Sequence, residues 1–222
     1  MKRLIEFSTA TLLFIALLLT GSCAKDNGTN NQYPDITANA DTIYGTLKYK
    51  PATGTNLVVA WPFGTATFKI VVGVSDVLAS AAVNADGTFM LILPATVSGS
   101  YFSSLADVAS TQGGTIKATP ETVRILSALL YKVDYNDNGT PNTMTTNLYT
   151  LKSDFSIDKS YFYNFYDSDG TFTGTGNDGN IYDWSFAKGW GMVESFVIST
   201  SSSAFNSKSI EAAPASAVWV NY

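Results

Sequence analysis

Short apolar runs broken by polar and turn-forming residues fill most of this 222-residue chain, and helical spacing is rare. Thr42-Ile43-Tyr44-Gly45-Thr46-Leu47-Lys48-Tyr49 alternates large with small or polar side chains, the two-residue period of a half-buried strand. Residues 57–61 and 68–72 are β-branched runs bounded by Gly, Pro and Thr, and they predict two more strands. Residues 78–83 lead through Asn84-Ala85-Asp86-Gly87 into 88–94. Asp-Gly between two such runs predicts a hairpin, because the turn needs positive φ and glycine adopts it without steric cost. The spacing of Phe102, Leu105 and Val108 predicts a short helix over 101–109, ended by Gly113-Gly114. From Thr122 the strand pattern returns. A bent or bulged strand is expected over 123–135, with others near 145–152, 159–165, 170–174, 181–186, 192–200 and 218–222.

This pattern predicts an all-β protein. The order ending in Ala85-Asp86-Gly87-Thr88-Phe89-Met90-Leu91-Ile92-Leu93-Pro94 resembles the prealbumin-like, carboxypeptidase-regulatory type of β-sandwich over residues 41–96. That resemblance implies an N-terminal sandwich. Residues 97–119 then read as a connector, and 120–222 as a second, antiparallel β domain. Within the latter, Tyr166-Asp167-Ser168-Asp169-Gly170 and Trp184-Ser185-Phe186-Ala187-Lys188-Gly189-Trp190 are similar to a hairpin and Lys-Gly-Trp pattern of exported bacterial proteins. The resemblance implies no activity.

The first residues are organised differently. Lys2 and Arg3 precede an apolar stretch from Leu12 to Leu19, which ends in Thr20-Gly21-Ser22-Cys23. The stretch is shorter than the roughly 20 apolar residues that span a bilayer, so it predicts a cleaved export signal over 1–22. Cys23 is the single cysteine of the chain. The segment resembles the lipobox of bacterial lipoproteins, with Thr20 departing from the usual aliphatic residue, and is similar to the looser form found in Bacteroidetes. The resemblance implies acylation of Cys23 and an outer-membrane anchor, with display on the cell surface as an extension. Residues 23–40 are polar and aperiodic and are expected to form a flexible tether. Asp41-Thr42-Ile43, at the tether's end, resembles an O-glycosylation acceptor of the same bacteria.

Composition narrows the chemistry further. A net charge of −5 and few arginines argue against nucleic acid, whose phosphates need clustered Lys and Arg. The chain has no histidine, which rules out a Ser-His-Asp triad and a His-ligated zinc site. Two carboxylates would suffice for glycoside hydrolysis. Glu121, Glu194 and Glu211 are the available glutamates of the mature part, and most aspartates sit in turn sequences. A non-catalytic structural, adhesive or ligand-binding role is therefore expected, and no cofactor beyond a structural calcium ion.

Two constellations carry the binding expectations. Asp134-Tyr135-Asn136-Asp137-Asn138-Gly139 matches the start of a calcium loop, where alternate oxygens converge on one cation. Thr145 stands where an EF-hand has its bidentate glutamate, so Asp134, Asn136 and Asn138 would need help from Asp167 and Asp169. The alternative is a polar hairpin tip. Tyr161-Phe162-Tyr163-Asn164-Phe165-Tyr166, with Trp184 and Trp190, is the second constellation. In a strand Tyr161, Tyr163 and Phe165 share one face and Phe162, Asn164 and Tyr166 the other. Tyr161, Tyr163, Tyr166, Trp184 and Trp190 are thus candidates for stacking on a glycan, or else for packing against a neighbouring envelope domain.

Overall fold

The computed structural model describes residues 35–51, 57–127, 129–198 and 204–221. The signal segment 1–22, Cys23 and the tether as far as residue 34 lie outside the described residues. Among the described residues strands hold about 60% and helix 6%, so the fold is all-β, with mainly antiparallel pairing. The first group is β1 (Ile36–Thr37), β2 (Asp41–Tyr49), β3 (Val59–Ala60), β4 (Ala66–Val72), β5 (Asp76–Val83), β6 (Thr88–Leu93) and β7 (Thr96–Val97). A middle stretch carries β8 (Ser103–Ser104), helix α1 (Leu105–Gln112), β9 (Lys117–Thr119) and β10 (Arg124–Leu126). The last group is β11 (Leu129–Asp137), β12 (Thr140–Leu151), β13 (Ile157–Tyr166), β14 (Gly170–Thr175), β15 (Ile181–Phe186), β16 (Gly189–Val197), β17 (Phe205–Ile210) and β18 (Val218–Val220).

Seven of these strands close on themselves. Their order is β11-β4-β5-β6-β2-β18-β12, and β12 pairs back onto β11 to complete a barrel-like sheet. The β5–β6 hairpin forms at Asp86-Gly87, where Gly87 has φ +87° and Asp86 Oδ1 accepts from the Thr88 N–H at 2.9 Å. Closure depends on one parallel pairing, β2 with β18, which sets Leu47 beside Trp219. Inside, the Phe68 ring stacks on Phe89 at 4.3 Å and meets Trp219 edge-on at 4.9 Å. Gly45 leaves room for them. A Cβ there would fall 2.3 Å from the Phe89 ring and 2.7 Å from the Trp219 indole nitrogen.

The expected boundaries at residues 96 and 120 do not follow this sheet. Strands β4, β5, β6 and β2 lie side by side, which leaves β4 and β2 with outward edges that need partners. Those partners come from beyond residue 120, as β11 and β18. The expected strand over 123–135 is divided for the same reason: β10 joins β13 and β8, whereas β11 joins β4.

β12 also starts a second, open sheet. Its first half pairs with β11, and its last residues pair with β13 and β18. From there the order runs β13-β16-β17-β15-β14-β9. The expected alternation in β13 holds, and both of its faces are covered. Tyr161, Tyr163 and Phe165 belong to the barrel core; Phe162 and Tyr166 belong to a second core with Leu105, Ile125, Phe172, Tyr182, Trp184 and Val193. α1 roofs that second core. It starts four residues later than the periodicity predicts, because Ser104 caps it by accepting the Asp107 N–H at 3.2 Å. Gly113, with φ +66°, ends it.

Candidate ligand-binding site

The aromatic residues expected to form an exposed platform are covered instead. Tyr161, Tyr163, Tyr166 and Trp184 are buried, with Tyr163 the most accessible at 9%, and Trp190 is half-buried. The cause is the position of β13: it lies inside a sheet, between β12 and β16, with a packed core on each side. The polar ends of several rings are used internally. The Tyr163 N–H donates to Tyr131 Oη at 3.1 Å, and Trp190 Nε1 donates to the Pro94 carbonyl at 2.9 Å. Burial pushes the Tyr131, Tyr163, Tyr166 and Tyr182 phenols far above their ordinary range, so all four stay neutral. These rings do not offer a flat surface to a sugar.

They build a cavity instead. Between α1 and the inner face of the open sheet lies a largely apolar space of about 170 Å³. Its roof is Leu105 and Val108 of α1, with Ile125 of β10 beside them. Phe162, Phe172, Tyr182 and Trp184 form the floor and inner wall, and Leu129 and Tyr131 carry the cavity to the barrel. The floor is a connected aromatic set: Trp184 lies 5.1 Å from Phe172 and 5.7 Å from Tyr182 between ring centroids. Trp184 Nε1 donates to the buried Ser207 Oγ at 2.9 Å, which fixes the indole. The mouth is more polar. Asn147, Ser160 and Ser195 are half-buried there, and Asp158 and Val197 are exposed. The pairing of Ser160 with Ser195 shows that these groups face one another across β13 and β16.

The residues read as calcium ligands have other occupations. Asn138 and Gly139 have φ of +50° and +84°, the left-handed pair that a two-residue hairpin turn requires, and they join β11 to β12. Asp134 is ion-paired with Lys69 and accepts the Thr143 hydroxyl at 2.7 Å. Asn136 lies opposite Pro141 in the same hairpin. Asp167 accepts Arg124 twice, from the backbone N–H at 2.8 Å and from Nε at 2.7 Å. Asp169 accepts the Lys188 N–H at 2.8 Å. Among the described residues no three His, Cys, Asp or Glu side chains gather into a metal-holding group. The glutamates are dispersed as well. Glu121 and Glu211 are exposed; Glu194 is buried and bound to Lys159 at 3.0 Å and Lys208 at 3.7 Å.

Of the sequence-derived candidates, Tyr161 and Trp184 line the cavity, whereas Tyr163, Tyr166 and Trp190 support it from the cores. Phe162, Phe172, Tyr182, Leu105, Val108 and Asp158 were not among those candidates. Their signal was present as the alternation Tyr182-Asp183-Trp184 and as the helical spacing of Leu105 and Val108. Comparison with protein-family models, with curated proteins and with solved structures finds no match to this chain. Among the described residues no helix is long and apolar enough to cross a membrane.

Proposed function

We propose that this chain is a lipid-anchored protein of a bacterial outer membrane, non-catalytic, whose folded part binds a small apolar ligand beneath α1. The observation that carries the binding reading is the cavity of about 170 Å³. Packed interiors leave few voids larger than a water molecule. A void of roughly 150 Å³ with aliphatic and aromatic walls stays dry and accepts a benzene-sized guest. The anchor reading draws on Cys23 and the apolar segment before it. The non-catalytic reading draws on the lack of histidine and on the pairing of buried Glu194 with two lysines. The prealbumin-like likeness over 41–96 belongs to the same proposal, as a relation of strand order.

A thermal-shift titration with toluene tests the binding reading. Guest in hundredfold excess over its dissociation constant adds about 2.7 kcal/mol, so a rise of several degrees is expected. Val108→Phe, which fills the space under α1, should abolish the rise; no rise in the parent chain overturns the reading. Cys23→Ser tests the anchor, because loss of acyl labelling and of membrane retention is expected together.

A glycan-binding role remains as a second reading, and it draws on another place. A polar concavity of about 550 Å³ follows the outer side of the β11–β12 hairpin, lined by Thr67, Asp134, Asn136, Asn142 and Thr143. Oligosaccharide titration against Asn136→Ala tests it, with weakened binding expected.

A further inference from the structure

We propose that the guest of the cavity is amphipathic: an aromatic or short alkyl body with a cationic end, of the arylalkylamine class. The inference rests on the reading of the space under α1 as a binding site and names what that site selects.

The body follows from the walls. Phe162, Phe172, Tyr182 and Trp184 already meet one another in tilted and edge-on geometries, with centroids between 5.1 and 6.3 Å apart. A further ring enters such a set in the same edge-on manner, which aromatic quadrupoles favour. The volume admits one six-membered ring, whereas drug-sized ligands occupy roughly 300 Å³ or more. The buried part of the guest is therefore small.

The cationic end follows from the mouth. Among the described residues Asp158 is the one charged residue lining the cavity, and it is exposed. No ion pair to it is present among the described residues. The amine of its chain neighbour Lys159 is held by Glu194 at 3.0 Å and lies 5.7 Å from the ring of Phe196, which also lines the cavity. The Asp158 carboxylate therefore stands at the mouth, open to a cationic group of the guest. The half-buried Ser160 and Ser195 hydroxyls line the path from Phe162 to Asp158. Those two residues are four positions apart on one strand, about 13 Å. A ring against Phe162 thus needs a chain of several atoms to bring its ammonium to the carboxylate.

Three probes that differ at one end test the assignment: 4-phenylbutylamine, 4-phenylbutanol and 4-phenylbutyrate. They are titrated calorimetrically at pH 7 and low salt into the mature chain carrying Cys23→Ser, which needs no detergent. The amine is expected to bind roughly 10-fold tighter than the acid, with the alcohol between, as an exposed charge pair and its like-charge counterpart allow. Asp158→Asn should collapse that ratio to about 1 and leave the alcohol unchanged, and added salt should shrink it in the parent chain. Equal binding of amine and acid, or a preference that survives Asp158→Asn, overturns the inference and leaves the binding site standing. If none of the three binds, the site itself is refuted.

Discussion

In the barrel, Phe68 lies 4.3 Å from Phe89 and 4.9 Å from Trp219, which in turn lies 4.8 Å from Tyr131. Under α1, the rings of Phe172, Tyr182 and Trp184 stand 5.1 to 5.7 Å apart and border about 170 Å³ of space. Both regions are aromatic-rich strands with alternating inward residues, so composition does not separate them. Closure does. A sheet that returns on itself brings inward side chains from opposite walls into contact, and in a small barrel they fill the interior. The open sheet has no opposite wall and depends on the eight-residue α1 as a lid. Such a lid is too short to meet every ring beneath it. A filled interior and a hollow one thus sit in one fold.

Four changes would break or sharpen this contrast. The largest effect is expected in the filled region: Trp219→Ala removes the side chain around which the barrel closes and should cost about 3–5 kcal/mol in a urea unfolding series. Next comes the support of the lid. Asp167→Ala withdraws the carboxylate that holds Arg124, in a pair whose side chains are 12% and 19% exposed. The expected loss is about 3 kcal/mol, because the guanidinium is left in a largely buried setting. Loss of toluene binding at temperatures where far-ultraviolet dichroism is still native would tie that pair to the lid rather than to the whole fold.

Val108→Phe should act the other way. Filling the hollow under α1 is expected to raise stability by about 1 kcal/mol, read from the same urea series. A comparable gain would not be expected in the barrel, where Gly45→Ala meets Phe89 and Trp219 at once. The smallest effect belongs to Asp134, at the outer side of the barrel. The hydrogen bond from Lys69 and then that from Thr143 hold its carboxyl below the usual range, although burial opposes them. Its folded pKa is depressed, so its contribution is present above about pH 4 and fades as pH falls through the folded value. The side chain is 38% exposed, which keeps Asp134→Asn under about 1 kcal/mol at pH 7, with the difference from the parent chain shrinking as pH falls through the folded value.

Where strands alternate apolar and polar residues, the chain could be read directly. β15 occupies the expected residues 181–186, and the Asp86-Gly87 hairpin stands where the turn chemistry puts it. β17 escaped because Phe205-Asn206-Ser207-Lys208-Ser209-Ile210 carries a serine at a buried position. Ser207 is buried because the Trp184 indole donates to it, a reason that lies twenty-three residues away. Closure was hidden for a similar reason, since no local pattern announces that Trp219 sits beside Leu47. The aromatic run of β13 was legible as two faces, but not as two buried faces, because that depends on α1 and the barrel arriving from elsewhere. The Asp134–Gly139 string shows the converse. A residue pattern shared by a cation loop and a tight hairpin forms a hairpin here, with left-handed φ at Asn138 and Gly139 and with Asp134 paired to the Lys69 amine.

The parallel pairing of β2 with β18 also has a consequence in time. Asn221 extends it, accepting the Lys50 N–H at 2.9 Å and donating to the Lys50 carbonyl at 3.1 Å, across 171 residues of chain. Until β18 emerges from the ribosome, the edge of β2 that will receive it has no strand from the far end of the chain. Contacts of such long sequence separation form slowly. Through the greater part of its synthesis, this protein therefore carries an unfinished edge that can recruit a second nascent copy. The last strand to be made is thus the one that closes the barrel and removes that edge.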